Sequence, residues 1–589
     1  MPARMALQKQ FESGLSHHQA GRLAEAETIY RQILTQQPSH ADALHLLGVV
    51  AAQKGRLDEA VELMRRAVRI KPDYAEAYDN LGNALRRTGR MDEAIASFHQ
   101  AIRIKPGFAE PHNNLGIVFK DKGQFDEAIA SFRQAIRLKP VYAEAHSNLA
   151  LALTARGQPD EAIAVLREVI RLKPDFAKAH SNLVYNLHFD PGYDARMIHE
   201  EHRLWNQQHA EPLKKFIQPH TNDRNPDRPL RVGYVSPDFR EHPVGRFLLP
   251  LLPAHDPDRF TIFCYADVRG SDRVTELLRR HATQWRSTVG LTDERVAQRV
   301  REDEIDVLVD LTMHMAKNRM LLFARKPAPV QVTYLAYCST TGLQTMDYRL
   351  TDPHLDPPEM NDGVYSEKSI RLPETYWCYP LDEKSPEVSL PPALSTGQVT
   401  FGCLNNFCKV SPEALDVWIQ LLRATPKSQF ILHAHEGSHR QRVWDLLESQ
   451  GIDPRRLKFV GKAPLPEYFK LYERIDIGLD PFPCNGGTTT CDALWMGVPV
   501  VTLNGRTAVG RGGVSVLRNV GLPELVAQTH EQYIQIATDL AKDLPRLAEM
   551  RRTLRPRMQA SPLMDAPRFA RNIEAAYRQM WRNWCARPL

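Results

Sequence analysis

The chain has 589 residues, of which 43% are hydrophobic, 25% charged and 8% aromatic, proportions that suit several globular domains and exclude a disordered chain or a fibre. Its 76 basic and 70 acidic residues leave a net charge of +6 with no basic arm or acidic tail, so composition makes no case for nucleic-acid binding. The eight cysteines hold no C-x-x-C pair and none lies in the first 200 residues, which excludes a zinc knuckle and a dense disulfide framework and suits a reducing compartment. Met1 to Gln10 lacks the apolar core of a signal peptide, and no apolar run is long enough to span a bilayer, so a cytoplasmic protein is expected.

A period of 34 residues runs through the N-terminal third: Pro38, Pro72, Pro106, Pro140 and Pro174 keep it, and so do Gly21, Gly55, Gly89, Gly123 and Gly157. The unit, clearest from Ala75 to Pro106, resembles the tetratricopeptide repeat, two antiparallel helices with a glycine turn between them and a proline at each unit boundary. Ala94, Ala101, Ala128 and Ala135 fall where helices must approach closely. Five repeats over 6–175, within a superhelix reaching residue 190, are expected, with Phe176 to Leu187 as a half-repeat capping the array. Asn80, Asn114, Asn148 and Asn182 share the same spacing on the first helix of each unit. A ladder of amides on a concave face suits an extended acceptor polypeptide bound through its backbone.

Residues 191–229 break the period. A helix over Ala195 to Ala210, with Met197, Ile198, Leu204 and Trp205 as its apolar stripe, precedes a Pro-bounded polar linker, Pro219 to Pro226.

From residue 230 apolar β-rich runs alternate with amphipathic stretches. The runs are Leu230–Ser236, Phe260–Ala266, Ile305–Leu311, Val330–Tyr337 and Tyr348–Thr351, then Val399–Leu404, Gln429–His433, Leu457–Gly461, Ile475–Leu479 and Val498–Leu503. A weakly structured stretch, Leu381 to Thr396, divides them into lobes over 230–385 and 398–560, and a helical tail over 561–589 is expected to pack back on the lobes. The fold class is therefore an α-solenoid followed by an α/β region of two Rossmann-like lobes, with ligands at the carboxyl ends of parallel strands. Neither G-x-G-x-x-G after the first strand nor G-x-x-x-x-G-K-[ST] occurs, which disfavours a nicotinamide dehydrogenase and a P-loop NTPase.

The most informative segment is Asp480 to Gly497. A strand leads into Asn485-Gly486-Gly487, then Thr488-Thr489-Thr490, then a helix. Glycines admit close backbone approach, the helix start presents N–H groups to an anion, and the threonines add hydroxyls: a pyrophosphate cradle, with Asp492 one turn in as a ribose acceptor. The same residues from Asn485 to Thr502 look like the donor signature of the O-linked N-acetylglucosamine transferase (SPINDLY-like) family. The resemblance extends to Arg231 to Phe239 with His242-Pro243, to Met346-Asp347-Tyr348 with Thr351-Asp352, to Tyr365 to Lys368, and to Asn405-Asn406 with Lys409.

That resemblance implies an inverting, metal-independent GT-B transferase that moves a sugar from a nucleotide donor to Ser/Thr of proteins. It implies His242 beside the sugar as a base, Lys409 as counter-charge to the leaving phosphate, His314 facing the cleft, and Asn406 near the phosphates. Tyr468 stands where the family has a nucleoside-facing histidine, and an aromatic face suits stacking on the base. Met313 and Met315 flank His314 in place of glycine and threonine, Cys338 replaces a proline, and Cys484 a tyrosine. The expected donor is UDP-N-acetylglucosamine, used as substrate with no cofactor or metal. A GDP-fucose transferase and a repeat scaffold that binds nucleotide without turnover are the alternatives.

Overall fold

A computed structural model describes residues 2–380 and 385–588. The chain forms two compact units, 1–153 and 154–589. The first part of the expected linker between the lobes, 381–384, lies outside the described residues.

The first unit is built of helix pairs: Pro2–Gln19 with Leu23–Gln36, Ala41–Gln53 with Leu57–Ile70, Ala75–Arg87 with Met91–Ile104, and Ala109–Asp121 with Phe125–Leu138. Gly21, Gly55, Gly89 and Gly123 make the turns with φ between 74° and 81°, a region a Cβ penalises. A second glycine role appears inside the helices. A Cβ on Gly82 or Gly116 would come within 2.6 Å of Phe98 or Phe132, so each glycine makes room for the buried ring of its partner helix. Ala94, Ala101, Ala128 and Ala135 are fully buried, as close helix approach requires.

The amide ladder is tied into the array. Asn80 Nδ2 bonds His45 Nε2 at 2.8 Å, Asn114 Nδ2 donates to Asp79 Oδ1 at 2.9 Å, and Asn148 Nδ2 donates to Asn113 Oδ1 at 2.9 Å. Each amide thus reaches the preceding repeat and stitches neighbours together, an internal role the sequence reading did not assign.

The second unit opens with helices Pro159–Leu172 and Ala177–Asn186, and then the turn Leu187–Phe189. The next helix, Ala195–Trp205, relaxes into a wider π turn over Asn206–Ala210 rather than continuing as expected. Its buried face is Ile198, Glu201, His202 and Trp205, while Met197 and Leu204 are exposed. The spacing i, i+3, i+4, i+7 selects the first set, and a stripe that includes both Met197 and Ile198 is too wide for it.

Two parallel sheets follow. The first holds β1 (Leu230–Ser236), β2 (Phe260–Ala266), β3 (Gln284–Ser287), β4 (Val307–Asp310), β5 (Val330–Thr333), β6 (Tyr348–Thr351) and β7 (Lys368–Arg371) in the order β3-β2-β1-β4-β5-β6-β7. The second holds β8 (Thr400–Cys403), β9 (Gln429–His433), β10 (Leu457–Val460), β11 (Ile477–Leu479), β12 (Val500–Leu503) and β13 (Val526–Ala527) in the order β10-β9-β8-β11-β12-β13. In each sheet the chain reverses direction beside its first strand, β1 or β8, and ligand crevices of doubly wound sheets open at that switch point. Helix Ala566–Cys585 packs back on the first lobe, where Glu574 meets His255 at 3.0 Å and Tyr577 meets Tyr234 at 3.1 Å. The same helix pins the polar linker: Trp581 Nε1 donates to the Asn225 carbonyl at 3.1 Å.

Candidate active site

A cleft of about 630 Å³ lies where the carboxyl ends of both sheets converge. Its floor is the loop after β11. Asp480 ends that strand, fully buried, and its carboxylate accepts the Gly486 N–H at 2.7 Å and the Thr502 hydroxyl at 2.7 Å. Burial pushes the Asp480 carboxyl up to about 7, against those two bonds and the nearby Lys409. Asn485 fastens the same loop by donating from Nδ2 to the Pro481 carbonyl at 2.9 Å. Gly486 and Gly487 then lead into helix Thr488–Trp495, and Thr488 and Thr489 line the cleft at its start. The Thr489 hydroxyl donates to Asn405 Oδ1 at 2.7 Å, tying the cradle to the loop after β8.

That β8 loop delivers Lys409, whose Nζ donates to the Asn485 carbonyl at 2.6 Å. Burial opposes its charge, but the Cys484 and Cys408 sulfurs and Asp480 favour it, and the pKa stays above the ordinary lysine value. Asn406 is exposed on the cleft wall three residues past the end of β8, and Tyr468 lines the wall with its hydroxyl 2.7 Å from that of Tyr472.

From the first lobe, His242 lies past β1 as the N-cap of helix Pro243–Leu251, its Nδ1 accepting the Val244 N–H at 3.3 Å. Asp238 Oδ2 lies 3.7 Å from the same nitrogen. Burial lowers the His242 pKa, Asp238 opposes and Arg240 adds to the lowering, so the ring is neutral at pH 7 and able to take a proton.

His314 corrects the expectation that it faces the cleft. It is fully buried, with Nδ1 3.1 Å from the Ser181 hydroxyl and Nε2 2.8 Å from the Thr341 carbonyl. The Asp310 carboxylate accepts the Thr312 and Met313 N–H groups, Met313 adopts φ 46°, and this turn sends Met315 to the cleft in place of His314. The half-repeat helix Ala177–Asn186 packs on Pro159–Leu172, and it also reaches the site: Tyr185 near its end and His188 and Phe189 in the turn after it enter the cleft wall. Asn182, also expected on an open ladder, is buried there, and its carbonyl accepts Asn186 Nδ2 at 2.7 Å.

The model of glycosyl transferase family 41 matches residues 174–382 and 392–573, and tetratricopeptide models match 11–75, 73–140 and 113–175. The chain belongs to glycosyltransferase family 41. It is 39% identical over 396 residues to a probable UDP-N-acetylglucosamine–peptide N-acetylglucosaminyltransferase SPINDLY of Solanum lycopersicum, covering 66% of this chain and 42% of the relative. A protein of the same name from Oryza sativa subsp. japonica is 39% identical over 409 residues, 68% of this chain and 44% of that one. The chain thus spans less than half the length of these curated relatives. A variant of the Thermobaculum terrenum O-GlcNAc transferase superposes with a TM-score of 0.80 at 38% identity, covering 87% of this chain and 98% of that one.

Within this family 41 site, Asp492 lines the cleft but its carboxylate is already engaged. Oδ1 accepts Tyr379 OH at 2.6 Å and Arg246 Nη2 at 2.8 Å, and Oδ2 accepts Arg246 Nη1 at 3.3 Å. Arg246, Asp480 and Asn405 carry the site's internal bonding, and sequence reading assigned none of them a role. Their signals were weak: an arginine one turn after His242, an aspartate closing a strand, and the first of two asparagines.

From His188 in the cleft wall a buried chain of rings runs inward through His202, His314 and Trp205 to His209, with ring centroids of His202 and His314 5.2 Å apart. Burial holds His188 at about 3 and His202 and His209 at about 4, and holds His314 well below its ordinary value. Below pH 6.5 the unfolded chain gains protons on these rings that the folded chain refuses, so their contribution is full above that pH and is lost as pH falls towards 4. The melting temperature of the second unit is expected to drop by roughly 10 °C between pH 7 and pH 5, with the steepness reduced in His202→Leu. Calorimetric melts at pH 7, 6 and 5 check it; a flat profile contradicts it.

Proposed function

We propose that the protein transfers N-acetylglucosamine from UDP-N-acetylglucosamine to Ser/Thr hydroxyls of proteins, with inversion and without a metal, and that the repeats bind the acceptor polypeptide. The observation that carries this reading is the Lys409 ammonium held at 2.6 Å from the Asn485 carbonyl, beside the glycine turn and helix start of the cradle. The diphosphate then rests on the Gly486–Thr489 backbone and hydroxyls with Asn406 near the phosphates, Tyr468 borders the nucleoside side, and Asp492 has one carboxylate lone pair left for a ribose hydroxyl. His242 takes the proton as the acceptor oxygen attacks the anomeric carbon. The bond from that carbon to the β-phosphate oxygen breaks, its electrons leave with UDP, and Lys409 and the helix N–H groups meet the charge that develops.

The acceptor role of Asn80, Asn114 and Asn148 is part of the same proposal, while the buried Asn182 drops out of it. It is supported by the matches to tetratricopeptide models and by the fixed orientation that the inter-repeat bonds give the first three amides. A second reading keeps the site and takes GDP-fucose, favoured by Tyr468 where the family histidine stands. Nucleotide release measured across both donors, with a lysate protein pool as acceptor, separates them. Release of UDP with sugar appearing on protein supports the first reading; release from GDP-fucose alone overturns its donor.

A further inference from the structure

Two helices begin on opposite walls of the cleft. Pro243–Leu251 starts at His242 in the first lobe, and Thr488–Trp495 starts at the cradle in the second. Four residues into each, Arg246 and Asp492 face one another, and all four of His242, Arg246, Thr488 and Asp492 line the cleft. Spacing of i, i+4 places each charged residue one turn behind the reactive end of its own helix. The guanidinium spans the carboxylate through 2.8 and 3.3 Å bonds. Tyr379, from the segment between β7 and β8, donates to the carboxylate at 2.6 Å, and its ring and that of Phe469 flank the guanidinium at 5.7 and 5.8 Å. Both charges are buried, and separating them would strand each without a partner.

Resting on the proposed transferase reading, we propose that the Arg246–Asp492 pair is a gauge that fixes the separation of the base from the diphosphate cradle. Arg246 is a positioning residue. It holds two helix starts in register, so that the acceptor hydroxyl is deprotonated where the anomeric carbon lies. Other ties between the lobes, such as Ser515 donating to Asp352 at 2.6 Å, hold the lobes together when the gauge is removed.

The test measures kcat for transfer and, separately, UDP binding by calorimetry. Arg246→Met is expected to lower kcat about 100-fold, as a displacement near 1 Å does, while UDP affinity changes by far less. Arg246→Lys, which keeps the charge and loses the fork, recovers part of the rate. Tyr379→Phe, which keeps the ring and the fold, gives a smaller loss in kcat. Arg246→Met combined with Asp492→Asn is no slower than the slower single variant. Unchanged kcat in Arg246→Met, or a loss that lies wholly in UDP affinity, or multiplying effects in the double variant, overturns the gauge. A wild-type protein that neither binds UDP nor transfers sugar contradicts the transferase reading and the gauge with it; wild-type transfer with an unaffected Arg246→Met contradicts the gauge alone.

Discussion

Lys409→Ala is expected to lose sugar transfer by a factor of about 100 to 1000 while melting at an unchanged temperature. The lysine does two things at once. Its ammonium faces the point where leaving-group charge develops, and its 2.6 Å bond to the Asn485 carbonyl clamps the glycine loop. Such a charge is worth several kcal/mol to a transition state and far less to a ground state, so the loss falls mainly on kcat. Removing it also takes away a cation that restrains the Asp480 carboxyl, which burial already lifts to about 7, so Asp480 moves further up. Transfer rates beside thermal melts check this; full activity in Lys409→Ala contradicts the assignment.

Gly486→Ala should be nearly as damaging, through donor binding rather than chemistry. A Cβ there would lie 2.5 Å from Thr489 Oγ1, 2.7 Å from Thr490 Oγ1 and 3.0 Å from Asn405 Oδ1. The two threonine hydroxyls must shift and Asn405 is crowded, which strains the Thr489–Asn405 bond that ties the cradle to the β8 loop. Donor KM is expected to rise by about 100-fold or more, since the diphosphate loses both a close backbone approach and an aligned hydroxyl. Gly363→Ala, where a Cβ meets nothing within 4 Å, is the matched control and should leave KM unchanged. Equal behaviour of the two variants would contradict the cradle.

Much of this architecture was legible because it rests on periodic or continuous apolar patterns. The 34-residue spacing of prolines and glycines anticipates the helix pairs, and β1, β2 and β6 run over the same residues as the apolar stretches that announced them. Strands β3 and β7 escaped notice since edge strands are half-exposed and read as polar: Gln284-Trp285-Arg286-Ser287 and Lys368-Ser369-Ile370-Arg371. At the site, motif residues that touch the cleft were found, whereas the residues that hold them were not. Asp480 and Arg246 act through bonds to residues that sequence separation hides, 6 and 246 positions away. His314 was misplaced for a related reason. A strand-end histidine is expected in the cleft, but a left-handed Met313 and the Asp310 carboxylate turn the loop so that the ring packs against Ser181 and Trp205. The helical pattern of the half-repeat announces its packing on the array but says nothing of Tyr185 near the end of the helix, or His188 and Phe189 after it, entering the cleft wall.

The central claim is that the cradle, Lys409 and His242 together move a sugar onto protein. It is tested most directly by mass spectrometry of acceptor proteins after incubation with UDP-N-acetylglucosamine and the purified chain, with Lys409→Ala in parallel. The account predicts Ser/Thr residues carrying one N-acetylhexosamine each, with UDP released in equal amount, and none with the variant. UDP bound but not produced, with acceptors unmodified, would contradict it and leave a repeat scaffold that holds nucleotide.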